Sequence, residues 1–202
     1  MEFQMTNFTD ALTKRRSIYA LGKNTELNED QIVALVKEVV RQSPTAFNSQ
    51  TQRVVVLFGD NHEKVWDITE AALKPLTPPE AFPNTQAKLA GFKAAKGTIL
   101  FFEDQDVVKA LQEQFELYAE NFPVWSEQST GISSVNVWTA LAQENIGANL
   151  QHYNPVIDEE VAKAWDIPAN WKLRGQLVFG SIEADAGEKE FMEDDERFRI
   201  FK

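Results

Sequence analysis

Two short polar segments carry the side chains best suited to chemistry. Lys14-Arg15-Arg16-Ser17 gathers three cations and a hydroxyl in a chain of 31 acidic and 20 basic residues, with a formal charge of −11. Against such a field an anionic ligand must be collected by specific cations or helix N-termini, which makes a local basic group informative. Arginine suits a phosphate, because its planar fork matches the oxygens. A second reading of the cluster needs no ligand: cations at a helix end also lie favourably near the last carbonyls. The other segment is Ser43-Pro44-Thr45-Ala46-Phe47-Asn48-Ser49-Gln50. Pro44 turns Ser43 away from helical geometry. Asn48 and Gln50 each offer a donor and an acceptor, and a polar turn between rigid elements can hold a polar ligand.

Other chemistries find little support. His62 and His152 are the two histidines and cysteine is absent, so a metal site would rest on carboxylates, and thiol catalysis is excluded. There is no G-x-S-x-G elbow, G-x-G-x-x-G or P-loop, which argues against a hydrolase triad and against nucleotide sites of those folds. The acidic balance repels a phosphate backbone, so nucleic acid is not an expected partner. The run Glu193-Asp194-Asp195-Glu196 reads as solvated. No segment has the ~18 unbroken apolar residues of a membrane span, so no membrane is expected either. Met1 to Met5 lacks a basic and apolar leader pattern, so a soluble, cytoplasmic protein is expected. Met5 could serve as an alternative start.

Arg-Arg-Ser near the beginning, a helix, and then Ser-Pro-Thr-Ala-Phe-Asn-Ser-Gln before an apolar strand resemble the nitroreductase family of FMN-dependent oxidoreductases. Gln151-His152-Tyr153-Asn154-Pro155 is similar to a small bacterial and fungal branch of that family. The resemblance runs from about Phe8 to Lys202. It implies that Arg15, Arg16 and Ser17 contact the phosphate or ribityl chain of FMN. It also implies that Asn48 and Gln50 contact the flavin, across a dimer interface, and that Arg197 and Arg199 reach the phosphate. The acidic run before that last pair departs from the commoner family pattern, and a surface salt bridge with Glu193 to Glu196 explains the pair as well. His152 and Tyr153 would shape the substrate pocket beside the reactive ring; as residues alone, they read more often as ordinary half-buried side chains.

These groups need a frame. Thr6 or Asn7 could cap a helix from Phe8 to Arg16. Asn28 and Gln31 form a capping-box pair before Ile32, Leu35, Val36, Val39 and Val40, which predicts a helix with one buried stripe, ending near Gln42. Val54 to Phe58 and Thr98 to Phe102 read as strands covered on both faces, and a third strand lies within Trp171 to Ile182. Helices are expected from Asp60 to about Leu73, Asp106 to Glu120, Thr130 to Asn145, and from a cap at Asp158 to near Trp165. Ile132, Val135, Trp138, Leu141 and Ala142 form the expected stripe of the third of these, with Gly147 as its stop. Leu76 to Gln86, rich in proline, reads as a surface excursion. The C-terminal stretch ends in Phe198, Ile200 and Phe201, which suggests docking rather than disorder.

The combined expectation is one domain, residues 1–202, of α+β class, with a mixed central sheet flanked by helices. By the resemblance it is a homodimer in which the C-terminal segment docks on the partner. It would bind FMN and use NAD(P)H to reduce nitroaromatics, quinones or similar small-molecule electron acceptors. No side chain is assigned as catalytic acid or base. A different class of protein also fits the acidic tail: a flavin-binding redox sensor with incidental turnover. A flavin-free binding module is the third alternative.

Overall fold

The computed structural model describes residues 8–202; the two expected caps, Thr6 and Asn7, lie outside them. The elements are α1 (Phe8–Lys14), β1 (Leu21–Gly22), α2 (Glu29–Gln42), β2 (Gln52–Phe58), α3 (Gly59–Leu73), α4 (Phe82–Lys93), β3 (Gly97–Asp104) and α5 (Gln105–Gln114). After these come α6 (Asn121–Gln143), β4 (Ile146–Gln151), α7 (Asp158–Ala164), β5 (Trp171–Ile182) and a single turn, α8 (Asp194–Arg197).

The α+β class stands: helices flank a central five-stranded sheet. Strand β5 pairs with β3 and β4 and, at its last residues, with β1, while β3 pairs with β2. Every ladder is antiparallel. The parallel contribution among the described residues is one bridge, Ser17 to Ala148. The apolar run of β3 is buried throughout, as a central strand requires. Strand β2 differs from expectation. It is bonded along one side, to β3, and Val54, Val55 and Val56 are half-buried rather than covered on both faces.

Two apolar layers complete the frame. Trp66, Leu89, Phe92 and Leu100 pack under α3 and α4, while Ile32, Val36, Phe101, Val137 and Leu141 pack under α2 and α6. The capping box of α2 is present, with Asn28 accepting from the Gln31 backbone and the Gln31 side chain accepting in return.

Several expectations shift. Helix α6 begins at Asn121, not near Thr130, since Pro123 falls in its first turn where no N–H is needed. Its buried face keeps Leu141 and Ala142 of the expected stripe and departs from the rest: Ile132 and Val135 are exposed, and Ser126, Ser129, Thr130, Ser133 and Ser134 are buried. Those hydroxyls are satisfied. Ser129 donates to the Trp125 carbonyl at 2.8 Å and Ser133 to that of Thr130 at 3.1 Å. The helix ends at Gln143, two residues before Asn145, which is held at φ 56°, and Gly147 lies inside β4, a strand that the sequence does not announce. Helix α4 occupies the second half of the expected excursion. Asp158 opens α7, whose cap position is Ile157.

Candidate functional site

The backbone at Ser17 is tied to β4: Ile18 donates to the Ala148 carbonyl at 3.0 Å, and the Asn149 amide donates back to the Ile18 carbonyl at 2.7 Å. This places Arg15, Arg16 and Ser17 along one wall of a cleft of about 540 Å³. The opposite wall is the chain leaving β5, Ala184 to Lys189. Arg16 donates from Nη2 to the Gly187 carbonyl at 2.7 Å, joining the two walls. The Arg15 guanidinium lies 4.6 Å from the centre of the Trp138 ring. A cation over an indole face is held without being neutralised. Among the described residues neither Arg15 nor Arg16 forms an ion pair with a carboxylate, although Asp185 and Glu188 share the lining.

The amide turn is built differently. Phe47, Asn48 and Gln50 take positive φ values of 58°, 50° and 48°, a region that is costly for a residue as bulky as Phe. Local bonds hold it: Asn48 donates to the Thr45 carbonyl at 3.0 Å and Gln50 to the Thr45 hydroxyl at 3.1 Å. The Phe47 ring rests against Phe115, Tyr118, Phe122 and Trp125. The side chains of Asn48 and Gln50 stay exposed.

Beneath the turn lies a polar support. Arg53 donates to the Gln50 carbonyl at 2.8 Å and pairs with Asp104 at 2.8 Å. Asp104 also accepts from the first amides of α5 and from Asn170 at 2.7 Å. Its neighbour Glu103 is fully buried. The Glu103 carboxylate accepts from Ser126 at 2.7 Å and from Thr130. Burial raises its pKa above the ordinary value, partly opposed by those hydroxyls.

His152 and Tyr153 diverge. His152 lines a cavity of about 240 Å³ beside α6. The Tyr153 ring instead packs on the α3/α4 side, 6.0 Å from Trp66 and 5.9 Å from the Lys88 ammonium. Burial raises the Tyr153 phenol above its usual value. Arg197 and Arg199 are exposed, on and just past α8. Arg199 donates to the Asp195 carbonyl at 2.7 Å, and neither arginine is among the residues lining the cleft. The cation that the C-terminal segment brings there is Lys189.

Sequence reasoning missed three contributors: Lys189, Trp138 and Glu103. A lone lysine in an acidic segment was the one available signal. Nothing in the spacing of Trp138 or Glu103 announces their partners.

The α+β frame thus presents guanidinium groups without carboxylate partners in a cleft, and an exposed amide turn on a rigid base. Residues 12–181 match the Nitroreductase family. The chain belongs to that family and is an oxidoreductase.

The nitroreductase CinD of Lactococcus lactis, solved in complex with nicotinic acid, superimposes with a TM-score of 0.91 at 63% identity, covering 97% of this chain and all of that one. CinD has also been solved with chloramphenicol and with 4-nitrophenol. HBN1 of Saccharomyces cerevisiae is 36% identical over 194 residues, 95% of this chain and 96% of its own length. A nitroreductase with bound FMN from Desulfitobacterium hafniense shares the fold at 16% identity, with a TM-score of 0.70 over 98% of this chain and all of that one.

Proposed function

We propose that the chain is a single domain working as a homodimer, in which FMN binds the cleft of Arg15, Arg16 and Ser17. In this reading NAD(P)H is the electron donor, and nitroaromatics, quinones or similar molecules are acceptors. The observation that carries the proposal is the pair of guanidinium groups with no carboxylate partner in a strongly acidic protein. The residues fit the cofactor: the cleft volume of about 540 Å³ lies in the range of ligand sites. Arg15 on Trp138 and Arg16 on Gly187 are already oriented, which lowers the ordering cost of binding a phosphate.

Bound FMN supplies the two-electron chemistry. The protein's part is binding and placement. Arg15, Arg16, Ser17 and Lys189 hold the anionic end. Asn48 and Gln50, projecting from a turn that cannot easily yield, reach the flavin of the partner. The exposed Phe191, Phe198, Ile200 and Phe201 dock on that partner and bring Arg197 and Arg199 toward its phosphate. His152 borders the acceptor. A nitro acceptor takes a hydride equivalent and one proton, loses one oxygen as water, and becomes a nitroso compound. The proton beyond the hydride comes from solvent.

The nicotinic acid in CinD supports a nicotinamide donor, and its chloramphenicol and 4-nitrophenol complexes support nitroaromatic acceptors. Bound FMN in the Desulfitobacterium protein supports the cofactor. The test is the visible spectrum of the purified protein, then stopped-flow mixing with NADH and NADPH. A yellow protein bleached by either donor, and recoloured by an acceptor, is expected. A colourless protein that binds no added FMN defeats the reading; slow bleaching that no acceptor reverses replaces it with a redox sensor.

A further inference from the structure

The cavity beside His152 holds an ion pair that the cofactor reading leaves without a role. In the β3–β5 ladder Phe101 pairs with Gly175 and Phe102 with Leu173, so Arg174 is an extra residue, a β-bulge. A regular pleat sends consecutive side chains to opposite faces. Here Arg174 and Gly175 both line the same cavity of about 240 Å³. Bulges re-aim side chains in this way and are common beside functional sites.

Arg174 pairs with Glu127 of α6. It also faces Asp158, whose carboxyl is raised by burial and lowered by the guanidinium. Small residues keep the space beside the pair open. A Cβ on Gly175 would meet the Leu150 side chain at 3.3 Å and His152 Nε2 at 3.7 Å, and one on Gly131 would meet nothing within 4 Å. Ser134 completes the α6 wall.

We propose that Arg174 and Glu127 form the acceptor-recognition element of this site, selecting uncharged acceptors that carry a hydrogen-bond-accepting oxygen. An unpaired arginine would attract carboxylates more strongly than nitro or carbonyl oxygens. Paired with Glu127, the guanidinium keeps its N–H donors while the local charge is cancelled, and the Glu127 carboxylate repels a second anion. An oxygen that gains negative charge as the acceptor is reduced then finds an oriented donor. His152 closes the other side. This rests on the oxidoreductase reading above and names the substrate class of its acceptor site.

The test compares two acceptors of one ring system, nitrobenzene and 4-nitrobenzoate, first by NMR titration of the purified protein and then by steady-state kinetics. Wild type is expected to bind nitrobenzene more tightly. Glu127→Gln, an exposed helix position, should move the preference toward 4-nitrobenzoate by about fivefold, the scale of one partly exposed charge interaction. Arg174→Gln should weaken nitrobenzene binding and lower kcat more than it raises KM.

Affinity ratios within twofold of wild type in Glu127→Gln would overturn the proposal, even if Arg174→Gln failed to fold. A colourless protein would sink the flavin assignment alone, because the NMR arm needs no cofactor and still decides this one.

Discussion

The two ends of β3 are built to different purposes. At its start, the Thr98 hydroxyl meets His62 Nδ1 at 2.8 Å and accepts from the Trp66 indole at 3.1 Å, inside the apolar layer of α3 and α4. At its finish, Glu103 and Asp104 tie α6, α5, Arg53 and Asn170 together beneath the amide turn. The first end is closed and neutral; the second is ionic and carries exposed amides on its outer surface. One strand thus separates a region that holds the fold from a region whose exposed amides are proposed to meet a ligand.

The largest expected effect belongs to the closed end. Trp66→Ala should cost roughly 3 to 5 kcal/mol by emptying a fully packed site, measured by urea unfolding. The folded fraction should still bind FMN, and loss of FMN affinity in that fraction would break the division.

Buried His62 is next. Desolvation lowers its pKa from 6.5 to about 4, so it is neutral in the fold and takes up a proton on unfolding. Its contribution is complete above pH 6.5 and is lost as pH falls through about 4, a fall of roughly 3 kcal/mol. His62→Gln should flatten that slope.

Glu103 has the opposite sign. Its carboxyl is raised above 4.5, so the folded state holds the proton more tightly and gains on acidification through that window, a gain that is lost as pH rises through the raised value. Removing it by Glu103→Gln should steepen the acid-side loss. Parallel unfolding curves at pH 4 to 7 for the two variants test the pairing, and displacements of the same direction would contradict it.

Two smaller effects fall on the ligand side. Arg15→Ala should weaken FMN binding by roughly thirtyfold, the value of a charge-assisted phosphate contact, read by flavin fluorescence quenching with unfolding unchanged. Asn48→Ala should change the flavin spectrum and weaken affinity by roughly fivefold, the size of one neutral hydrogen bond.

The same division explains what could be read in advance. The capping box and stripe of α2, and the apolar runs of β3 and β5, are local signals in which each residue's type states its environment. The α6 face misled because its hydroxyls are buried on their own helix carbonyls and on Glu103, partners that sequence spacing does not reveal. Strand β4, Ile-Gly-Ala-Asn-Leu-Gln, has small and polar side chains whose burial comes from β5 and the Ser17 segment.

At the site, the cationic turn and the amide turn were legible by residue type. The left-handed backbone at Phe47 was not, since its support comes from rings in α5 to α6. The bulge at Arg174 was likewise invisible, because it is a property of pairing between strands far apart in the chain.

The position of β5 has a consequence for synthesis. Residues 171–182 are made after every other strand described, yet they are the strand on which β1, β3 and β4 all depend. Until they leave the ribosome, the apolar run Thr98 to Phe102 has one free edge, a template for unwanted pairing. The nascent chain therefore needs protection until β5 emerges, and a chain cut before Trp171 would yield an aggregate rather than a smaller enzyme.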